Sequence, residues 1–236
     1  MHRIDGGTVG NAVPGRAEAV LEGVSADDVA RAAQAVNAQT GIGFTWEEQG
    51  ARLTLHAEGR NAHASTPWEG NSALTGLLTL LMRLPLAPCE GLKRLRALAA
   101  LFPHGAFYGE AAGVTQSDAL SGQLVLTSNV LHYTENSMTG RIDCRAPMCA
   151  SEENVLEVLR AKLAAHGLHL PEDCRMIPPH YVPEESPFIQ TLLQCYEQVM
   201  EEPGRCLAIG GGTYEHFLKN GVAFGASKLG VDYHMH

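Results

Sequence analysis

Two short runs of strict alternation constrain this chain more than any other feature. Arg16 to Leu21 places Ala17, Ala19 and Leu21 at every second position, and Ala51 to Ala57 places Ala51, Leu53, Leu55 and Ala57 against Arg52, Thr54 and His56. Strand side chains repeat every two residues, so each run presents one apolar face to a core and one polar face to water. A sheet with one wet face follows, and its dry face needs helices.

The sequence supplies them at helical spacing. Ser25 is an N-cap with Asp27 and Asp28 in the first turn, Val29, Ala33 and Val36 form a stripe, and Gly41 stops the helix. Leu74, Leu77, Leu78 and Leu81 stripe a second helix that starts near Ser72, with Asn71 as its cap, and a third covers Glu90 to Phe102. Ser151 caps a fourth, with Val155, Leu156, Leu159 and Leu163 buried and Gly167 at its end. Leu124 to Leu131 and Met138 to Cys144 read as a hairpin joined by Thr-Glu-Asn-Ser, and a short strand near Cys174 to Ile177 would complete the sheet. Gly6 to Pro14 reads as a glycine-rich connector with Asn11 as a turn residue, and Pro103 to Ser121 as irregular. The order strand, helix, strand, then hairpin, helix, strand predicts an α+β fold. It is a ferredoxin-like (split βαβ) antiparallel sheet with helices on one face, spanning residues 12–182. After the proline-rich break at Pro178 to Pro183, Ser186-Pro187 opens a helix that Pro203-Gly204 ends, and Cys206 to Ile209 reads as a strand.

Bulk properties exclude some functions. A net charge of −9, with no run of like charges, argues against a nucleic-acid or anionic-membrane partner. No stretch of about 18 apolar residues could span a bilayer, and no signal peptide opens the chain. Six scattered cysteines without a CxxC pair fit reduced thiols and a cytoplasmic location.

Four groups carry candidate chemistry. His63 sits on the loop Gly59 to Asn71 between the second strand and the leucine helix, held by Pro67 and ended by Gly70. It is a surface histidine or a donor aimed at a developing oxyanion. Arg145, before Ala146-Pro147, presents a fork suited to a carboxylate, or else pairs with Asp143. Gly210 to Gly212 with Thr213 is an anion cradle or a simple bend, and it matches neither a P-loop nor a dinucleotide fingerprint. His234 and His236 are a metal half-site or a frayed terminus, while His166 and His169 read as surface residues near a helix end. No HExxH and no GxSxG occur, and no paired carboxylates lie in an obvious cleft loop, so the chain offers recognition groups but nothing to activate a water.

Taken together, Asn11-Ala-Val-Pro14, Gly59 to Asn71, Arg141-Ile-Asp-Cys-Arg-Ala-Pro147 and Gly210-Gly-Gly-Thr-Tyr214 resemble the dinuclear zinc peptidases of the aminoacylase/carboxypeptidase superfamily. The closest likeness is to the carnosinase-like (Xaa-His type) bacterial dipeptidases. The resemblance implies a lid domain over residues 12–182, inserted in an incomplete α/β catalytic domain. Residues 1–11 would be the connector from that domain and residues 183–236 its C-terminal part. It implies that His63 stabilises the oxyanion, that Arg145 binds the substrate carboxylate, and that Gly211, Gly212, Thr213 and Asn11 contact substrate. His236 matches the last zinc ligand. Two zinc ions serve the complete enzyme of this family, and this chain holds at most one ligand, so it would be inactive alone on dipeptides or short peptides. The superfamily's lid also mediates homodimers, which leaves a non-catalytic self-association module as the alternative.

Overall fold

A computed structural model describes residues 1–212 and 214–225. Among them the chain forms a mixed α/β fold with five α-helices and a six-stranded antiparallel sheet. The main strands are β1 (Arg3–Gly6), β3 (Arg16–Glu22), β4 (Gly43–Gln49), β5 (Arg52–Glu58), β9 (Val125–Thr134) and β10 (Met138–Arg145), ordered β10-β9-β1-β3-β5-β4. Two-residue ribbons stand beside it: β2 (Ala12–Val13) pairs with β6 (Ala62–His63), and β7 (Ser117–Asp118) with β8 (Gly122–Gln123).

The alternating runs behave as their periodicity dictates. Ala17, Ala19 and Leu21 of β3 lie opposite Ala57, Leu55 and Leu53 of β5, and all six are buried. Ile4 of β1 joins this face between Ala19 and Tyr133. The opposite face carries Arg3, Asp5, Glu18, His56 and His132, tied by Arg3–Glu18, Arg3–Asp5, His56–Glu18 and His132–Asp5 contacts. These pairs are at least partly solvated and contribute little each.

Helix α1 (Ala26–Thr40) runs from β3 to β4, which flank β5. Its Ser25 Oγ accepts from the Asp28 N–H at 3.1 Å, and Gly41, at φ +72°, terminates it. α2 (Ala73–Leu81) lies at the centre of the core, with Leu74, Leu77, Leu78, Leu80 and Leu81 all essentially inaccessible. Ser72 rather than Asn71 caps α2; the Asn71 amide instead donates to the Thr40 carbonyl at 2.9 Å, pinning the end of α1. α3 (Glu90–Leu101) and α4 (Glu157–Ala164) complete the layer through Leu95, Leu98, Leu159 and Leu163. A π-helical turn over Glu152–Leu156 leads into α4, with Ser151 and Asn154 forming a reciprocal cap.

The structure adds two main strands to those the sequence announces and withdraws two others. Arg3–Gly6 is an inner strand of the sheet, so the sheet reaches further toward the N-terminus than a unit beginning at residue 12 allows. Four residues are too few to show a period, which is why the segment reads as a connector. Gly43–Gln49 is an edge strand, with only Phe44 and Trp46 turned to the core. Cys174 to Ile177 and Cys206 to Ile209 form no strand. In the first, Cys174 N–H closes a turn onto the Pro171 carbonyl and Met176 N–H is taken by the Glu152 carboxylate, so these donors are used outside any ladder. Helix α5 (Pro187–Met200) forms as its Ser-Pro start predicts, with the Ser186 hydroxyl accepting from Ile189 N–H.

The pairing of β9 with β10 skips one residue: Arg141 faces Val130 and Ile142 faces Ser128. Asn129 is the extra residue of this bulge, nearly inaccessible, and its amide donates to the Gly10 carbonyl at 2.7 Å. The bond fastens the approach to β2. At Gly7, where φ is +71°, a Cβ would stand 1.9 Å from the Asn129 carbonyl oxygen, so only glycine fits.

Candidate active site

The His63 loop is closed at its base. Arg60 and Asn71 exchange backbone hydrogen bonds of 2.9 and 2.8 Å, and a Cβ on Gly59 would lie 2.1 Å from the Asn71 carbonyl oxygen. The Asn61 side chain accepts from the Gly15 N–H at 2.6 Å. Further along, Thr66 N–H donates to the His63 carbonyl, and the turn Pro67–Glu69 returns the chain to Gly70. Trp68 packs on Tyr108, ring centroids 6.5 Å apart, which ties the loop to the following irregular region. The loop is thus fixed at both ends and along one side.

Within it, His63 lies opposite Ala12 in the β2–β6 ribbon, and Ala64 N–H donates to the Asn11 carbonyl at 2.9 Å. Asn11, exposed, and His63, half-buried, are therefore neighbours, although they stand 52 positions apart in the sequence with β3, α1, β4 and β5 between them. The His63 ring is held by Ser65: Oγ is 2.6 Å and the backbone N 3.2 Å from Nδ1.

Arg145, at the end of β10, joins the same region. Its Nε and Nη2 donate to the two Asp143 oxygens at 2.5 and 2.8 Å, and Nη1 donates to the Gly210 carbonyl at 3.0 Å. Asp143 is the pairing partner that the sequence left open. These bonds use three of the five guanidinium N–H groups, one on each nitrogen, and leave two N–H donors, one on each Nη. A Cβ on Gly210 would lie 3.6 Å from the Arg145 Cβ and 3.8 Å from the Ser65 Cβ, and one on Gly211 would lie 3.4 Å from Nη1. The glycine loop thus touches both the His63 loop and Arg145. Gly212 faces the ring of His216, whose Nε2 donates to the Pro178 carbonyl at 2.7 Å.

The structure therefore brings Asn11, His63, Arg145 and Gly211 into one neighbourhood, with Gly212 at its margin. Thr213, His234 and His236 lie outside the described residues. Ser65 and His216 are the site-adjacent residues that sequence reasoning passed over; the HxS spacing of His63 and Ser65 was the available signal. Among the described residues no three His, Cys, Asp or Glu side chains converge to hold a metal. A cleft of about 420 Å³, lined by Glu58, Arg60, Asn71 and His104 among others, does not include His63.

No family model matches the chain. Individual relatives do. The chain is 27% identical over 227 residues to a Beta-Ala-Xaa dipeptidase of Lactobacillus delbrueckii subsp. lactis, which covers 96% of this chain and 47% of that protein. It is 28% identical over 216 residues to "Putative dipeptidase YtjP" of Bacillus subtilis (strain 168), covering 91% of this chain and 45% of the relative. This similarity to proteins named dipeptidases supports a dipeptidase relationship, and the chain spans about half the length of the curated relatives it matches. No helix among the described residues is long and apolar enough to cross a membrane.

Proposed function

We propose that this chain supplies the substrate-holding side of a hydrolase acting on dipeptides. The observation that carries the reading is the convergence of His63, Arg145 and the Gly210–Gly212 loop, three features far apart in sequence and meeting around Ser65. The names of the relatives support it independently.

In this reading the sheet-and-helix unit acts as the lid, with β3, α1 and β4 around β5 as its split βαβ element. His63 donates an imidazole N–H to the oxyanion that forms when the peptide carbonyl is attacked, a role for which a pre-aimed donor is worth about 100- to 1000-fold in turnover. Arg145, steadied by Asp143 and the Gly210 carbonyl, takes the substrate's C-terminal carboxylate with the end of its fork. Asn11 and the glycine loop line the substrate. Zinc enters only through His236 and groups beyond the described residues. The described residues do not make a metal site by themselves.

Residues 177–224 add support for a larger assembly. Ile177, Val199, Ile209, Tyr214, Phe217 and Leu218 are all more than half exposed, and α5 buries only Ile189. An apolar concentration of this kind calls for a cover. In the dipeptidase reading the cover is further catalytic-domain polypeptide; in a second reading, a self-association module, it is another copy of the chain, as a homodimer.

The test is a zinc titration and dipeptide-hydrolysis assay on this chain, with its mass measured in solution. The proposal expects no turnover from the chain alone and turnover once the remaining half of a dipeptidase is supplied. Tight binding of two zinc ions with turnover by the chain alone would overturn the divided site. A stable dimer that never supports hydrolysis would favour the second reading.

A further inference from the structure

The bond between Ser65 and His63 has a chemical consequence for the ring. A backbone N–H can only donate, so the Ser65 N–H at 3.2 Å requires Nδ1 to be an acceptor. The Ser65 hydroxyl, 2.6 Å from the same nitrogen, then donates its hydrogen as well. With Nδ1 occupied as an acceptor, the proton of the neutral imidazole resides on Nε2. The alternative tautomer would turn the Nδ1–H against the Ser65 N–H.

We propose that Ser65 is the positioning residue of this site: its hydroxyl and backbone amide lock His63 in the Nε2–H tautomer, which fixes the ring nitrogen that donates. The lock is built into local geometry. Ala64 between them is fully buried and its N–H is held by Asn11, so the two side chains cannot drift apart along the loop. Ser65 is itself backed by the glycine loop, since a Cβ on Gly210 would come within 3.8 Å of its own. Its effect on chemistry is exerted through His63, and in that respect it rests on the oxyanion role proposed above.

The experiment reads the tautomer directly. The chain is labelled with ¹⁵N-histidine, the His63 ring signals are assigned by loss in His63→Gln, and long-range ¹H–¹⁵N correlations are recorded above the imidazole's titration range. The wild-type ring is expected to be predominantly Nε2–H. Ser65→Ala, which keeps the amide but removes the hydroxyl, should raise the Nδ1–H fraction roughly 2- to 10-fold, the effect of one neutral hydrogen bond. Ser65→Thr should restore the wild-type ratio. A wild-type ring that is mainly Nδ1–H, or an unchanged ratio in Ser65→Ala with the amide spectrum otherwise intact, would overturn the lock. The catalytic reading fails separately: a tautomer shift in Ser65→Ala beside full turnover by His63→Ala in a complete enzyme would uphold the lock and remove the oxyanion role.

Discussion

Arg145 reaches from the end of β10 to the main-chain carbonyl of Gly210, 3.0 Å from its Nη1. One side chain thereby holds the glycine loop against the sheet while Asp143 holds the side chain. The Arg145 side chain is only one-fifth exposed and that of Asp143 less, so the pair is screened less than the ion pairs on the open sheet face.

Replacing Arg145 by lysine keeps the charge and loses the fork. Arg145→Lys should raise KM for a dipeptide about 10-fold in a complete enzyme, with a smaller change in kcat, since bidentate recognition is lost. In the chain alone it should speed amide hydrogen exchange across residues 209–212. Unchanged KM and unchanged exchange would count against the carboxylate role and the tether respectively.

Gly59→Ala places a methyl group into the Asn71 carbonyl, at the base of the His63 loop. Overpacking of this kind costs about 1–3 kcal/mol. Urea unfolding should show that loss, and the Arg60 and Asn71 amides should lose exchange protection. A variant as stable as the parent would mean the loop base can open without penalty.

Asp118 offers a test at acid pH. The Ser121 backbone N–H, joined by the Ser121 hydroxyl and the Cys149 and Leu120 amides, holds its carboxyl down to about 2 against the opposing effect of desolvation. A carboxylate with a lowered folded pKa contributes stability that is present above its unfolded value of 3.8 and is lost as pH falls through about 2. Protection of the Ser121 and Cys149 amides should survive to that pH and disappear in Asp118→Ala at neutral pH. Full protection in the alanine variant would show that the β7–β8 ribbon does not depend on the carboxylate.

His104 gives the opposite kind of pH dependence from a carboxylate in charge but the same in sign. Burial beside α2 pushes its imidazole below the ordinary 6.5, and Nδ1 lies 2.9 Å from the Thr75 hydroxyl. The folded chain therefore binds fewer protons than the unfolded chain. Stability is complete above 6.5 and falls as pH drops through that value toward the lower folded one. The fall in Tm between about pH 7 and about pH 5 should be steeper in the parent than in His104→Gln. Equal slopes would place the protonation penalty elsewhere.

The legible parts of this molecule were those with a period. Ala17, Ala19 and Leu21 announce β3, the leucines of α2 announce a core helix, and Ser25, Ser151 and Ser186 mark helix starts that the structure keeps. Arg3–Gly6 escaped because four residues next to a glycine pair carry no period, and its strand character comes wholly from neighbours on both sides. For the site, residue types were readable and their meeting was not. Nothing local in Asn11 or Gly210 says that one ends beside His63 and the other against Arg145; the Asn129 bulge and the β2–β6 ribbon decide that. Ser65 was visible two residues from His63, but its hold on Nδ1 depends on a backbone turn that the letters do not specify.

The place of β1 sets an order on how the chain can be made. Gly6 pairs with Ala17 on one side and with Leu131 on the other. As the polypeptide leaves the ribosome, β1 can join β3 almost at once, yet its second edge stays open until β9 has emerged. Closing so long a loop costs only slightly more entropy than closing a short one, but it delays the contact. Through that interval the growing chain carries an unpaired strand edge and an unfinished Gly7–Asn11 turn, because the Asn129 that fastens the turn belongs to the late strand. The turn that leads to His63 is therefore completed only after β9 has emerged, long after the His63 loop itself has been made.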